Sequence, residues 1–183
     1  MTADREAHLV ELVDESGAAT GQATVDAAHR APGMLHRAFS VLLADAGGRV
    51  LLQRRAAVKT RFPLRWGNAC CGHPGPGQPV TDAANIRLGE ELGLAPVSLA
   101  ELGVHVYRAE DPATGRVEME YDHVLLGHIP ADHPLSPDPA EVAELRWVAP
   151  EEVRAGISTR PDEYAPWLAG VIAKLNLDSQ RAL

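Results

Sequence analysis

Spaced cysteines, an excess of basic charge and a long apolar run are all missing from this chain of 183 residues, and each absence removes a class of function. Its two cysteines, Cys70 and Cys71, are adjacent. Neighbouring Cα atoms sit about 3.8 Å apart, closer than the ~4.4 Å or more of an ordinary disulfide, so a bridge between them would be strained. Adjacent cysteines also fail to match the spaced pairs of a structural zinc site. The net charge of −8 argues against a broad nucleic-acid surface, yet leaves room for a small anion held by a few local cations. No apolar run approaches membrane-spanning length, and Met1–Glu6 lacks the basic-then-apolar pattern of a signal peptide. The expectation is a cytoplasmic protein with no nucleic-acid or membrane partner, and a monomer. No internal repeat or low-complexity segment is present. The 45% apolar content and the length suit one domain over 1–183, with flexible tails at about 1–7 and 178–183.

Along the chain, His8–Asp14 alternates as a strand and Glu15–Gly17 reads as the turn after it. Residues 18–35 show no clean period, contain Pro32-Gly33, and read as a loop with one helical turn. His36–Ala44 is a strand, which Gly47-Gly48 folds back onto Arg49–Gln53 as a hairpin. A basic loop follows with Arg54, Arg55, Lys59, Arg61 and Arg65. From Pro79 the start and stop signals predict a helix that ends at Gly93 and buries Val80, Ala83, Ala84, Leu88 and Leu92. Val97–Tyr107 and Val117–Val124 read as strands around a turn at Asp111–Gly115. Strict alternation points Glu118, Glu120 and Asp122 to one side. After the proline-rich 130–139, Glu144–Val148 is a short strand and Glu151–Val153 opens a helix. A last helix carries Tyr164, Trp167, Leu168, Val171, Ile172 and Leu175 on one face. This order indicates a mixed α+β domain.

Chemistry concentrates around Trp66-Gly67-Asn68-Ala69-Cys70-Cys71-Gly72-His73-Pro74, where a thiol lies two residues from an imidazole between glycines. If this segment is extended, the two cysteines face opposite sides; Cys70 takes the core role and Cys71 the functional one. His29, His36 and His73 with the paired carboxylates Glu118 and Glu120 suit a divalent transition metal such as Mn or Zn. His8, His105, His123, His128 and His133 read as ordinary residues. Two readings of Arg87 and Glu91 stay open: a pair on an exposed helix face, or a phosphate ligand beside a cation ligand. Arg55 and Lys59 are likewise solvated charges or diphosphate ligands. Trp167 is core, or an aromatic face opposed to a cation.

These pieces, in this order over about Leu9 to Trp167, resemble a type 1 isopentenyl diphosphate isomerase. The resemblance implies a Nudix-like α/β/α sandwich around a mixed sheet. Gly72, Glu90, Glu91 and Gly93 keep the spacing of a Nudix box, whereas Gln78, Ile86 and Arg87 stand where a hydrolase would carry Glu, Arg and Glu. It further implies one divalent metal (Mn, Mg or Zn) on His29, His36, His73, Glu118 and Glu120. Glu91 would help to hold a Mg on the substrate diphosphate, with Arg55, Lys59 and Arg87 as its cationic ligands. Cys71 and Glu120 would be the acid–base pair, Tyr107 would hydrogen-bond to the glutamate, and Trp167 would cover the pocket. Moving the double bond requires one proton added and another removed two carbons away. The carbocation-like intermediate needs a closed, apolar pocket. One departure stands out: Ala23–His29 has no lysine where family members usually carry one. A lost phosphate contact costs about 1.5–3 kcal/mol unless it is replaced; either Arg30 replaces it, or this member binds weakly or takes a different allylic substrate. The alternative readings are a Nudix hydrolase of a nucleoside or prenyl diphosphate, and a non-catalytic metal- or prenyl-diphosphate-binding relative.

Overall fold

The computed structural model describes residues 5–175; the tail expectations for 1–4 and 178–183 lie outside them. β1, Leu9–Val13, turns into β2, Ala19–Thr24, and the two pair antiparallel with Leu12 opposite Gly21. β2 corrects the loop expected at 18–35. It is exposed along its first four residues and carries no apolar alternation, so backbone pairing with β1, rather than a buried face, makes it a strand. The Thr24 hydroxyl accepts the Ala27 amide at 3.2 Å and starts the single-turn helix α1, Val25–Ala28.

β3, His36–Ala44, is buried along nearly its whole length. The turn at Gly47-Gly48 joins it to β4, Val50–Arg55, but the hairpin pairs only at Ala44 and Val50. The short strands β5, Trp66–Gly67, and β6, Cys70–Gly72, come next. Helix α2 spans Val80–Leu92 and ends on left-handed Gly93 (φ 64°), as the stop signal predicts. β7, Ala100–Glu110, and β8, Val117–His128, form a long antiparallel pair. β9, Val142–Val148, is followed by helix α3, Pro150–Thr159, a 3₁₀ turn at Pro161–Glu163 and helix α4, Leu168–Ala173.

The sheet is mixed. β3 pairs parallel with β8 and antiparallel with β6, while β4 pairs antiparallel with β5 and β9. On one face, Phe39, Val41, Leu43 and Cys70 pack with Ala84, Leu88 and Leu92 of α2. On the other, Leu42, Leu52 and Val124 pack with Val153, Leu168 and Ile172 of α3 and α4. Burying each such leucine contributes about 1.5–3 kcal/mol. The outcome is the expected α/β/α sandwich. α2 lies so close to β6 that a Cβ on Gly72 would come 2.7 Å from Phe39 Cζ and 3.2 Å from Arg87 Cγ.

The last helix is shorter than its apolar period predicts. The Ala165 amide donates to the Trp66 carbonyl at 2.8 Å and Tyr164 bridges to Trp66, which draws 164–165 out of the helix. Trp167 therefore stands at the head of α4 rather than inside it. No helix among the described residues is long and apolar enough to cross a membrane.

Candidate metal centre and reaction cleft

Strand register assembles the site. His36 of β3 is opposite Glu120 of β8, Glu120 is opposite Tyr107 of β7, and Ser40 of β3 is opposite Cys71 of β6. Side chains alternate along each strand, so these groups share one face. His29 caps the end of α1, and its carbonyl accepts the Val117 amide at 2.9 Å, which anchors it beside the start of β8.

His29, His36, His73, Glu118 and Glu120 offer ligand atoms within 4.8 Å of one another, as the resemblance predicts. The imidazoles are aimed from behind. Nδ1–H of His29 donates to the Val25 carbonyl and that of His36 to the Met34 carbonyl, both at 2.7 Å. Each Nε2 lone pair therefore faces the cluster. His29 Nε2, His36 Nε2 and Glu118 Oε2 are buried with no hydrogen-bond partner, although His29 Nε2 and Glu118 Oε2 are 2.8 Å apart. Orphaned buried polar atoms are costly, and a divalent cation at their convergence would satisfy all of them. Three nitrogens and two carboxylates fit Mn or Zn.

The electrostatics of His73, Glu118 and Glu120 agree with this donor set. Burial lowers the His73 imidazole to about 4, so it stays neutral. Burial disfavours charge on His29 too, but the adjacent Glu118 carboxylate outweighs it and raises that imidazole. Burial also opposes ionisation of Glu118 and Glu120. His29 and Arg61 hold Glu118 below the usual carboxylate range, and the His36 and His73 imidazoles, 3.7 Å and 2.9 Å from Glu120 Oε1, hold Glu120 well below it.

A cleft of about 140 Å³ opens beside this cluster. Cys71, Glu120, Tyr107 and Trp167 line it, and Tyr107 Oη donates to Glu120 Oε2 at 2.6 Å. Burial and the nearby Asp122 carboxylate push the Cys71 thiol up to about 12. Cys70 faces the α2 side and is fully buried, as alternation requires. Trp167 is 3% exposed, with the Arg55 guanidinium 5.4 Å from its ring centre and Phe62 edge-on at 5.5 Å.

The cationic end of the cleft carries Arg55, Lys59 and Arg87, and each of them has a partner. Arg55 donates to the Phe62 and Arg61 carbonyls, while Lys59 and Arg87 both pair with the buried Glu141. Glu91 does not join the five-ligand cluster and does not line the cleft. Its carboxylate pairs with Arg87 and accepts Gln53 Nε2 at 3.1 Å. The helical i, i+4 pair is thus present, but its Glu91 is buried and its Arg87 only partly exposed.

Arg30 does not reach the cleft: it pairs with Asp26 on the outside of α1, and its side chain is 71% exposed. Cations that the motif reading missed are there instead. Arg5, assigned to a tail, pairs with Glu90 and Glu141. Arg61 bridges Glu118 at 3.1 Å and Glu6 at 2.9 Å. Arg61 belongs to the basic run and could have been flagged; Arg5, Glu6 and Glu141 carry no sequence signal.

The comparisons agree with the geometry. Residues 34–174 match the NUDIX domain family. The fold resembles DR0079 from Deinococcus radiodurans (TM-score 0.73, 20% identity, 91% of this chain and 98% of that one). It also resembles the Nudix hydrolase RenU from M. smegmatis (TM-score 0.56, 21% identity, 94% of each chain). Among curated proteins, the isopentenyl-diphosphate Delta-isomerase of Nocardia farcinica is 64% identical over 89% of this chain and 91% of its own. The proteins of the same name from Streptomyces coelicolor (47%; 91% and 83%) and Halorhodospira halophila (44%; 90% and 93%) align over similar lengths. With a Nudix sandwich underneath and identity of this extent across nearly the whole length, the chain belongs to the isopentenyl-diphosphate Delta-isomerases of the Nudix family.

Proposed function

We propose that this chain interconverts isopentenyl and dimethylallyl diphosphates, with Cys71 and Glu120 as the two proton-transfer groups. The observation that carries the reading is one cleft lined by a thiol, a carboxylate held by Tyr107, and an indole face. Moving the double bond adds a proton at one carbon and removes one two carbons away, so two such groups are needed. Trp167 and Phe62 keep water from the cationic carbon, and an indole stabilises positive charge without attacking it. Arg55, Lys59 and Arg87 hold the diphosphate. His29, His36, His73, Glu118 and Glu120 hold Mn or Zn, which when bound fixes the Glu120 carboxylate and supports its charge. Glu91, which pairs with Arg87 beside the diphosphate clamp, would help to hold a Mg on the substrate by giving up that partner. The reading takes the chain as a single-domain, cytoplasmic monomer.

Two positions of the Nudix box argue against hydrolysis. Gln78 accepts the Gly75 amide at 2.9 Å inside a turn, and Ile86 is 53% exposed on the outer face of α2. The test is incubation with isopentenyl diphosphate and Mg, with and without Mn, in deuterated water, followed by NMR. Deuterated dimethylallyl diphosphate, lost in Cys71→Ala and Glu120→Gln, supports the reading. Intact, unexchanged substrate overturns it, and phosphate release makes the protein a hydrolase.

A further inference from the structure

Between β5 and β6 sits one fully buried amide, Asn68, whose four hydrogen-bonding positions are all used. Its Nδ2 donates to the Val41 carbonyl at 3.1 Å and the Cys70 carbonyl at 2.7 Å. Its Oδ1 accepts the Cys71 thiol at 3.3 Å and the Trp167 indole N–H at 3.1 Å. An asparagine amide has two donors and one oxygen with two lone pairs, so the group is saturated. Reversing it would set its oxygen against two carbonyls and its NH₂ against an N–H. The backbone of β3 and β6 therefore dictates where Oδ1 points.

That oxygen joins two parts of the site that the chain keeps far apart. Cys71 is on a short strand, and Trp167 heads the last helix. Ring contacts with Arg55, Phe62 and Tyr107 surround the buried indole. The N–H bond to Asn68 is its polar anchor and fixes the direction of its nitrogen edge. The thiol is held in the same way, with Ser40 Oγ at 3.5 Å on another side.

We propose that Asn68 is a positioning residue, fixing the Cys71 thiol and the Trp167 indole relative to one another so that proton transfer and charge stabilisation address the same five-carbon chain. The inference rests on the isomerase reading above. Asn68 has no hydrogen bond to the clamp residues Arg55, Lys59 and Arg87, so its effect falls on turnover rather than on diphosphate binding.

Two replacements test it. Asn68→Ala removes the shared acceptor. Benzothienylalanine incorporated at Trp167 keeps the bicyclic ring but replaces its N–H by sulfur. Misplacement by about 1 Å costs on the order of a hundredfold, so Asn68→Ala lowers kcat about that much, with KM within about threefold. The analogue loses about tenfold in kcat, the worth of one hydrogen bond. Combining the two loses no more than Asn68→Ala alone, because the analogue has no link left to break. A multiplicative loss, a parent-like kcat, or a rise in KM at constant kcat overturns the proposal. If Asn68→Ala fails to fold, the analogue decides alone: parent-level kcat refutes the link. An inactive parent chain would sink the isomerase reading instead. In that case Trp167 fluorescence, isolated by difference against Trp167→Phe, still reads the bond. It shifts in Asn68→Ala if the bond exists, and unchanged emission refutes the proposal.

Discussion

Stripping divalent metal from the protein tests the candidate centre without reference to turnover. Glu118 and Glu120 offer carboxylate oxygens within 4.8 Å of one another. At an effective dielectric of about 20, two such charges repel by about 3.5 kcal/mol, a repulsion that Arg61 and the imidazoles outweigh, since both carboxyls stay below the usual range. A cation bound to the folded state alone, at a hundred times its Kd, adds about 2.7 kcal/mol. For a domain of this size that corresponds to a rise in Tm of about 5–11 °C. The assay is thermal unfolding by circular dichroism in EDTA, then with Mn, Zn or Mg in excess. Mn or Zn restores the increment, and it disappears in His36→Ala, whose Nε2 is one of the orphaned atoms. Equal melting with and without metal, or an increment that survives His36→Ala, refutes the assignment of the five residues.

Three further outcomes are expected. Glu141→Gln leaves Lys59 and Arg87 without their shared carboxylate, which costs about 1–3 kcal/mol of stability in denaturant melts and raises KM for the diphosphate. Burial opposes ionisation of Glu141, but Lys59 and Arg87 outweigh it and lower its folded pKa. Its contribution is therefore complete above the unfolded carboxylate value of about 4.3 and fades as pH falls through the lowered folded value; the variant should show a smaller acid loss than the parent. The Cys71 thiol, raised to about 12, should resist iodoacetamide at pH 8 and react only as pH approaches 11–12, read by mass spectrometry. Gly72→Ala should cost about 1–3 kcal/mol, because the new methyl meets the Phe39 ring and the Arg87 stem; an unchanged Tm would show that α2 can lift away.

Much of the site was legible because its elements are locally encoded. Alternation in 117–124 put Glu118 and Glu120 on one face, and Pro79 and Gly93 bounded α2 correctly. Register is different: the opposition of His36 to Glu120 and of Ser40 to Cys71 is a property of the assembled sheet. The illegible parts have physical causes. β2 lacks a buried face, so no apolar period announces it. Tyr164 follows the helical period but gives its backbone to Trp66. Glu141 becomes a clamp residue only because the 130–139 connector delivers it beside Lys59 and Arg87. Asn68 stood in the motif with no role of its own, and only its saturated amide reveals one.

The parallel pairing of β3 with β8 also bears on how the protein is made. The candidate ligands run from His29 to Glu120, and Trp167 arrives later still. A chain emerging from the ribosome has all three imidazoles before β8 but lacks both carboxylates until β8 has been synthesised and has docked. Such long-range parallel pairing is a slow step in folding. Metal uptake then becomes a timer: a nascent chain truncated before residue 117 should not retain the ion, and the onset of binding marks the moment at which the two halves of the sheet have met.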